Sequence, residues 1–359
     1  MGTPTVRPSE RMIRLIKVKP SLEHLVPYKT LEREANVKLD ANEGKNYLFK
    51  EGVVLPELPL HLYPDTHSKG LKEALARAHQ INQDQIILGQ GSSEVIEHVI
   101  KTYVAPGEVI LTMGPTFTMY KVYADLHGAK YVELPLLEDY RFDVDALKEA
   151  MASLKPKLTI VCSPNNPTGT TLDKTTLLSI VKATESLVLI DEAYIEFARH
   201  QPSLIYEVSR YPNLVVARTF SKAYGLAALR LGFGVAHKDL IDQLNLTKIP
   251  YNINTINQTL GVMALSRQER VKKYVRDVIR RRDMLKEDLV SLGFKVYPSE
   301  GNFLFVKSPI KNLGYTLADK GILIRIFTQL KDVYRITVGT DKENAMLIET
   351  IKEVRARDH

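Results

Sequence analysis

The sequence predicts an α/β fold in which a mostly parallel sheet is followed by a smaller α+β unit. Two observations carry this expectation. Through the middle of the chain, apolar runs of four to six residues alternate with amphipathic stretches long enough for helices. After about residue 250 that alternation gives way to one long helical pattern and then a mixture of strands and helices. Short runs rich in β-branched residues between helical patterns are the mark of strands buried on both faces.

The first strand is IILG (86–89), followed by a helix over 92–104. EVILT (108–112) precedes a helix over 117–128, and LTIVCS (158–163) precedes one over 172–184. SLVLID (186–191) and NLVVART (213–219) complete the series. Apolar residues at helical spacing from Val271 to Leu289 predict a helix over 266–293, with Gly293 as its stop. Beyond it, FKVYP, NFLFVK, ILIRI and YRITVG read as strands, with helices at 312–320 and 341–354. The expected division is an arm over 1–37, a large α/β domain over 38–260 and a small domain over 261–359. The arm is expected to pack on the small domain or on a partner subunit.

A chain of 359 residues with 44% hydrophobic and 25% charged residues buries a sizeable core, which excludes disorder as its main state. The net charge of +7 invites a polyanion reading, but charge alone does not choose a ligand. The basic run Arg280–Arg282 reads as a solvated helix face rather than a nucleic-acid patch. One cysteine, Cys162, excludes an intrachain disulfide and a cysteine-based metal cluster, and it reads as core filler. The first twenty residues scatter charges through a stretch without an apolar core, unlike a secretory signal. No run approaches the ~20 apolar residues that span a bilayer. A cytoplasmic protein without membrane or nucleic-acid partners is the expectation.

Four strand ends carry candidate chemistry. In RTFSKAYGLAALR (218–230), Lys222 follows the strand ending at Thr219, and Arg230 lies eight residues on. A lysine desolvated at the carboxyl edge of a parallel sheet loses proton affinity and becomes a nucleophile toward aldehydes. An arginine there suits a phosphate. The alternative is a surface turn with a structural arginine. In IDEAYIEF (190–197), Asp191 closes an apolar strand, so it either caps the next helix or faces a buried cation. Tyr194 stands three residues beyond. Glu192 and Glu196 have no histidine at ligand spacing, which argues against a metal cluster. VCSPNNPTGTTL (161–172) presents Asn166 in a turn after a strand. ILGQGSSEVIEHVI (87–100) runs from a strand through a glycine turn into a helix, where free N–H groups and the hydroxyls of Ser92 and Ser93 suit an anion. Glu94 is placed to close a capping interaction. No GK[ST] follows, and the third glycine of a dinucleotide fingerprint is absent.

Taken together, in this order and spacing, these motifs and Phe117 of PTFTMY resemble the class I/II pyridoxal-phosphate aminotransferases of fold type I. The resemblance covers nearly the whole chain. It implies a seven-stranded, mostly parallel central sheet, a smaller C-terminal domain and a homodimer. Lys222 matches the lysine that forms the Schiff base with pyridoxal 5'-phosphate and shuttles the proton. Asp191 matches the partner of the pyridine nitrogen, and Tyr194 and Asn166 match the pair on the ring oxygen. Phe117 matches the stacking aromatic, where tyrosine is frequent. Ser92, Ser93, Thr219, Ser221 and Arg230 match the phosphate set, and Tyr63 of LYPD matches a tyrosine reaching the neighbouring subunit's phosphate.

HLVPYKTLE (24–32), YPD (63–65), PYNIN (250–254), GNFLFV (301–306) and YRITVGT (334–340) resemble, within that family, the histidinol-phosphate branch. That likeness implies a ping-pong exchange between histidinol phosphate or imidazole-acetol phosphate and glutamate or 2-oxoglutarate, in histidine biosynthesis. Arg335 matches the arginine for the substrate's anionic end, and Arg325 and Tyr28 match further phosphate contacts. On strand position alone, Arg325 and Arg335 read equally as salt-bridge partners. Rivals on the same scaffold are an aromatic-amino-acid aminotransferase and a phosphothreonine decarboxylase. Two departures stand out. The NENP segment usual in the family reads NEGK at 42–45, and Ala228 stands where glycine is common.

Overall fold

The computed structural model describes residues 17–25, 33–199 and 202–357. In chain order its elements are β1 (Val37–Leu39), α1 (Lys69–His79), β2 (Ile86–Gly89), α2 (Gly91–Tyr103), β3 (Val109–Gly114) and α3 (Met119–His127). Next come β4 (Lys130–Pro135), α4 (Val144–Leu154), β5 (Leu158–Cys162), α5 (Lys174–Lys182), β6 (Leu187–Asp191), β7 (Leu214–Thr219), β8 (Gly232–Ala236) and α6 (Lys238–Thr247). The chain ends with α7 (Thr255–Leu265), α8 (Gln268–Ser291), β9 (Lys295–Val296), β10 (Phe303–Lys307), α9 (Leu313–Asp319), β11 (Ile322–Ile326), β12 (Val333–Thr337) and α10 (Asp341–Arg357).

The large sheet has seven strands in the order β2-β8-β7-β6-β5-β3-β4. Strands β4, β3, β5, β6 and β7 run parallel, and β8 is antiparallel to both its neighbours. Strands β5, β6 and β7 are buried at every residue. Because strand side chains alternate between faces, Val188, Ile190, Leu214 and Val216 enter one core and Leu187, Leu189, Val215 and Ala217 the other. Helices α2, α3 and α6 cover the second face; α1, α4, α5 and α7 cover the first. The strand order reverses between β3 and β5, the switch point at which such sheets open a ligand crevice.

Two strands of this sheet were not expected. β4 is an edge strand with half-exposed residues, so it lacks the apolar run that marks its neighbours. β8 is glycine-rich for a packing reason. A Cβ at Gly232 would lie 2.3 Å from the Ser92 nitrogen, and one at Gly234 would lie 2.7 Å from Val95. Glycine here lets the N-terminus of α2 sit directly on the sheet.

The smaller sheet has the order β1-β11-β12-β10-β9, with β1 parallel to β11 and the other pairs antiparallel. The expected boundaries shift accordingly. Val37 and Leu39, placed at the junction of arm and large domain, belong to the small core. Helix α8 bridges the units: Val271, Tyr274, Val275 and Val278 pack in the large core, Leu285 and Leu289 in the small one. No sequence boundary exists inside a continuous amphipathic helix. The described parts of the arm touch both units: His24 hydrogen-bonds Asp125 of α3 at 3.0 Å, and the Asn36 N–H donates to the Gly321 carbonyl of the small unit at 2.9 Å. The run Arg280–Arg282 is not simply a solvated face. Arg280 and Arg281 pair with Asp341, while Arg282 is buried and donates to the carbonyls of Phe197 and Gly301 and to Glu300.

Because α8 ties two cores together, truncating its buried end should loosen the small unit. Leu289→Ala should cost ~2–5 kcal/mol, whereas Val290→Ala, on the exposed face, should stay within ~0.5 kcal/mol. Chemical denaturation of the two variants checks this difference.

Candidate active site

The carboxyl ends of β3, β5, β6 and β7 share one edge, and the residues that follow them line one cavity between the two sheets. Gly91 opens α2 with φ +81, a conformation that glycine adopts without strain. The N–H of Gln90 bonds the Glu94 carboxylate, so the expected capping interaction is present. Ser92 and Ser93 occupy the first turn, beside backbone donors that a helix start leaves unpaired. A Cβ at Gly91 would come within 2.9 Å of the Arg230 guanidinium. Across the cavity, Thr219 Oγ1 donates to Ser221 Oγ at 3.0 Å and accepts the Ser221 N–H at 3.1 Å. Six donor-bearing groups (Gly91 N–H, Ser92, Ser93, Thr219, Ser221 and Arg230) thus frame a space suited to a small dianion.

Asp191 ends β6 on the cavity wall. It accepts the Tyr120 hydroxyl at 2.6 Å and the Ala193 N–H at 3.1 Å. Burial pushes its carboxyl above the usual range, against the opposing effect of the Tyr120 bond. Tyr120, fully buried on α3, is a site residue that the sequence did not single out, although it follows Phe117 by three residues. Phe117 lies on the cavity and packs edge-on against Tyr120. Cys162 is buried beneath them with its thiol pushed up by burial, as core filler rather than nucleophile.

The Lys222 Nζ donates to the Ala41 carbonyl at 3.0 Å and lies 5.6 Å from the centre of the Tyr194 ring. Burial, reinforced by Arg335 and Arg230 and opposed by Glu43, brings its ammonium down to about 7. Burial raises the Tyr194 phenol to about 12, and its oxygen accepts the Asn42 amide N–H at 3.1 Å. Asn166 accepts from Arg335 at 2.5 Å, and the second Arg335 nitrogen bonds the Asp40 carbonyl at 2.6 Å. Arg325 and Arg335 are direct cross-strand partners on β11 and β12.

Not every candidate named from the sequence converges here. Tyr63 is 81% exposed, stacks on Tyr251 with ring centres 4.6 Å apart and lies outside this chain's cavity. Tyr28 lies outside the described residues. Glu192 is taken up by Ser203 and the Leu204 N–H, and Glu196 by Arg218 at 2.5 Å. Among the described residues no group of three or more His, Cys, Asp or Glu could hold a metal ion.

The family model for aminotransferase class I and II matches residues 49–351. The chain belongs to the class I and II aminotransferases. A histidinol-phosphate aminotransferase of Caldanaerobacter subterraneus subsp. tengcongensis is 35% identical over 339 residues, covering 92% of this chain and 94% of the relative. That of Parabacteroides distasonis is 35% identical over 349 residues, with 94% and 98% covered. Among solved structures, a Sinorhizobium meliloti histidinol-phosphate aminotransferase in complex with pyridoxal-5'-phosphate superposes with a TM-score of 0.85 at 23% identity, covering 96% of this chain and all of the other. At that identity the likeness speaks for the fold alone.

As an aminotransferase of this pyridoxal-phosphate-dependent family, the chain has a cavity whose residues fit the cofactor. The Gly91–Arg230 gap is one a Cβ would fill, and the donors around it match a phosphate ester. A buried carboxylate opposite them suits a pyridinium nitrogen.

The fit at Gly91 generates an expectation. Gly91→Ala forces a non-glycine residue into a left-handed conformation and presses a methyl on Arg230. Fluorescence titration of the cofactor-free variant should give pyridoxal-phosphate affinity roughly tenfold weaker, ~1.4 kcal/mol.

Proposed function

We propose that this aminotransferase moves an amino group between histidinol phosphate or imidazole-acetol phosphate and glutamate or 2-oxoglutarate in a ping-pong reaction serving histidine biosynthesis. The observation that carries the substrate reading is the pairing of Arg325 with Arg335 in adjacent register. Both side chains line the cavity, where they would meet the anionic end of a substrate. A planar fork accepts a carboxylate and a phosphate ester equally well, so one site serves two substrates in turn. The named relatives support the same choice.

Lys222 would hold pyridoxal 5'-phosphate covalently through its aldehyde. Ser92, Ser93, Thr219, Ser221 and Arg230 would hold the phosphate, Phe117 would stack on the ring, and Tyr194 and Asn166 would bond its oxygen. When bound, the pyridinium ring supplies an electron sink for charge left at the substrate carbon. Asp191 would keep the ring nitrogen protonated, since a buried carboxylate is relieved by a neighbouring cation. Lys222 Nζ, with its proton affinity lowered by burial and by Arg335, takes the proton from the substrate Cα and gives it back. Arg335, held by Asn166 and Asp40, orients the anionic end and so fixes where the Cα–H bond points.

We also read the enzyme as a homodimer. Leu60, Leu62, Tyr63, Ile249 and Tyr251 are exposed, a set of large apolar side chains that a second copy would cover. Tyr63 would then serve the neighbouring subunit's phosphate. No helix among the described residues is long and apolar enough to cross a membrane. A cytoplasmic location is supported by the single buried cysteine.

A half-reaction panel tests the substrate choice. Histidinol phosphate and glutamate should discharge the lysine-bound cofactor's absorbance at least roughly tenfold faster than phenylalanine or tyrosine, ~1.4 kcal/mol in barrier. Faster aromatic substrates, or carbon dioxide released from phosphothreonine, would replace this reading. Lys222→Ala should show no such absorbance.

The lysine has its own signature. Only the neutral amine attacks an aldehyde, and the neutral fraction grows with pH until the group's own titration point. Uptake of pyridoxal phosphate by cofactor-free protein should climb about tenfold per unit below about pH 7 and flatten above it. A rise continuing toward the ordinary lysine value of 10.5 would show an unperturbed amine.

A further inference from the structure

The backbone N–H of Asn42 donates to Thr337 Oγ1 at 2.9 Å, and that hydroxyl donates back to Asn42 Oδ1 at 3.1 Å. The threonine proton needs an acceptor, which only Oδ1 of the amide offers, and this fixes the orientation of the asparagine amide. Nδ2 is therefore turned toward Tyr194, and it donates to the phenol oxygen at 3.1 Å. The phenol thus accepts on its protein side. Among the described residues this is the only hydrogen bond the Tyr194 hydroxyl makes, and Tyr194 lines the cavity.

The backbone holds this arrangement in place. Asn42 is completely buried and has φ +53, and Asn302 Nδ2 anchors its carbonyl at 3.1 Å. Asparagine is among the few non-glycine residues that adopt the left-handed region readily. Thr337 ends β12, two residues beyond Arg335.

We propose that Asn42, oriented by Thr337, is a positioning residue that commits the Tyr194 phenol to donating into the cavity. It also ties that donor to the strand carrying Arg335. This rests on the function proposed above. The ring oxygen of the bound cofactor then always meets an O–H and never a lone pair, and the amide N–H makes the phenol a stronger donor. The titratable or charged groups around the phenol are Arg335, Asp191 and Cys162, with Lys222 over the ring face. None of these accepts its proton.

The test is the pH midpoint of the lysine-bound cofactor's absorbance change, which reports on the ring oxygen rather than on turnover. A phenol donating to that oxygen favours its anionic form, so the neighbouring nitrogen releases its proton more easily and the midpoint is held down. Tyr194→Phe should raise the midpoint. Asn42→Ala should raise it by at least about half a unit, and Asn42→Asp by more, because a carboxylate captures the phenol proton. In the Tyr194→Phe background, Asn42→Ala should add nothing. Thr337→Val, which keeps the asparagine and the shape of the strand, should raise the midpoint by a smaller amount and serves where Asn42 variants fail to fold. If Tyr194→Phe shifts the midpoint but Asn42→Ala and Thr337→Val do not, the positioning role is overturned. A shift from Asn42→Ala that persists without the phenol overturns it equally. If the wild-type chain shows no lysine-bound absorbance, the failure lies in the cofactor assignment instead.

Discussion

The site turns on one buried carboxyl group. Asp191 stands at the end of a strand whose every residue is buried, in the middle of the large sheet. Its carboxyl titrates above the usual carboxylate range, so the folded chain binds that proton more tightly than the unfolded chain does. Over the interval between the two values, stability contributed by this group falls as pH rises. A cation brought into the cavity favours the ionised form and so offsets the cost of its burial. Tyr120 and the Ala193 N–H lessen the penalty without removing it. Burial thus raises the Asp191 carboxyl and lowers the Lys222 ammonium in the same cavity.

The placement of cations follows from that choice. Lys222, Arg230, Arg325 and Arg335 all border one cavity in a chain whose net charge is +7. Repulsion among them would be costly in a dry site, and it is part of why Lys222 gives up its proton readily. Four of the cations behind the charge that first suggested a polyanion are thus gathered at one cavity. The run at Arg280–Arg282 illustrates the rest. Its members bind Asp341, Glu300 and two carbonyls, and so fasten α8 to its neighbours.

Much of the fold was legible because parallel strands must bury both faces and so spell out apolar runs. β5, β6 and β7 did so, and the chemistry after them was readable for the same reason: the residues next in the chain emerge at the sheet's carboxyl edge. β4 and β8 were hidden because an edge strand and a strand pressed against a helix start obey other demands. Tyr120, Asn42 and Thr337 were hidden by distance. Asn42 meets Tyr194 across 152 positions and Thr337 across 295, and no local pattern encodes such contacts. The seam between the two units was obscured by α8, whose single amphipathic face serves both cores.

The departure at NEGK has a physical account. Lys45 stands where the family usually has proline, and its backbone N–H donates to the Tyr274 hydroxyl at 3.0 Å, a bond proline cannot make. Its ammonium reaches Glu343 of α10 at 2.6 Å. The residue before it, Gly44, lies against the lysine loop so closely that a Cβ would come 2.6 Å from the Lys222 carbonyl and 2.7 Å from the Gly225 Cα. Tyr47 closes the same strap by donating to the Ala223 carbonyl at 2.6 Å. Glycine permits the approach, and the lysine replaces proline's rigidity with two tertiary bonds, one to each side of the cleft. The strap that presents the Ala41 carbonyl to Lys222 and Asn42 to Tyr194 is thus held by contacts rather than by backbone stiffness. Its position follows the small unit through Glu343. A change in that unit would reach the lysine, the phenol and Arg335 together, because all three hang from the same six residues of chain, 40–45.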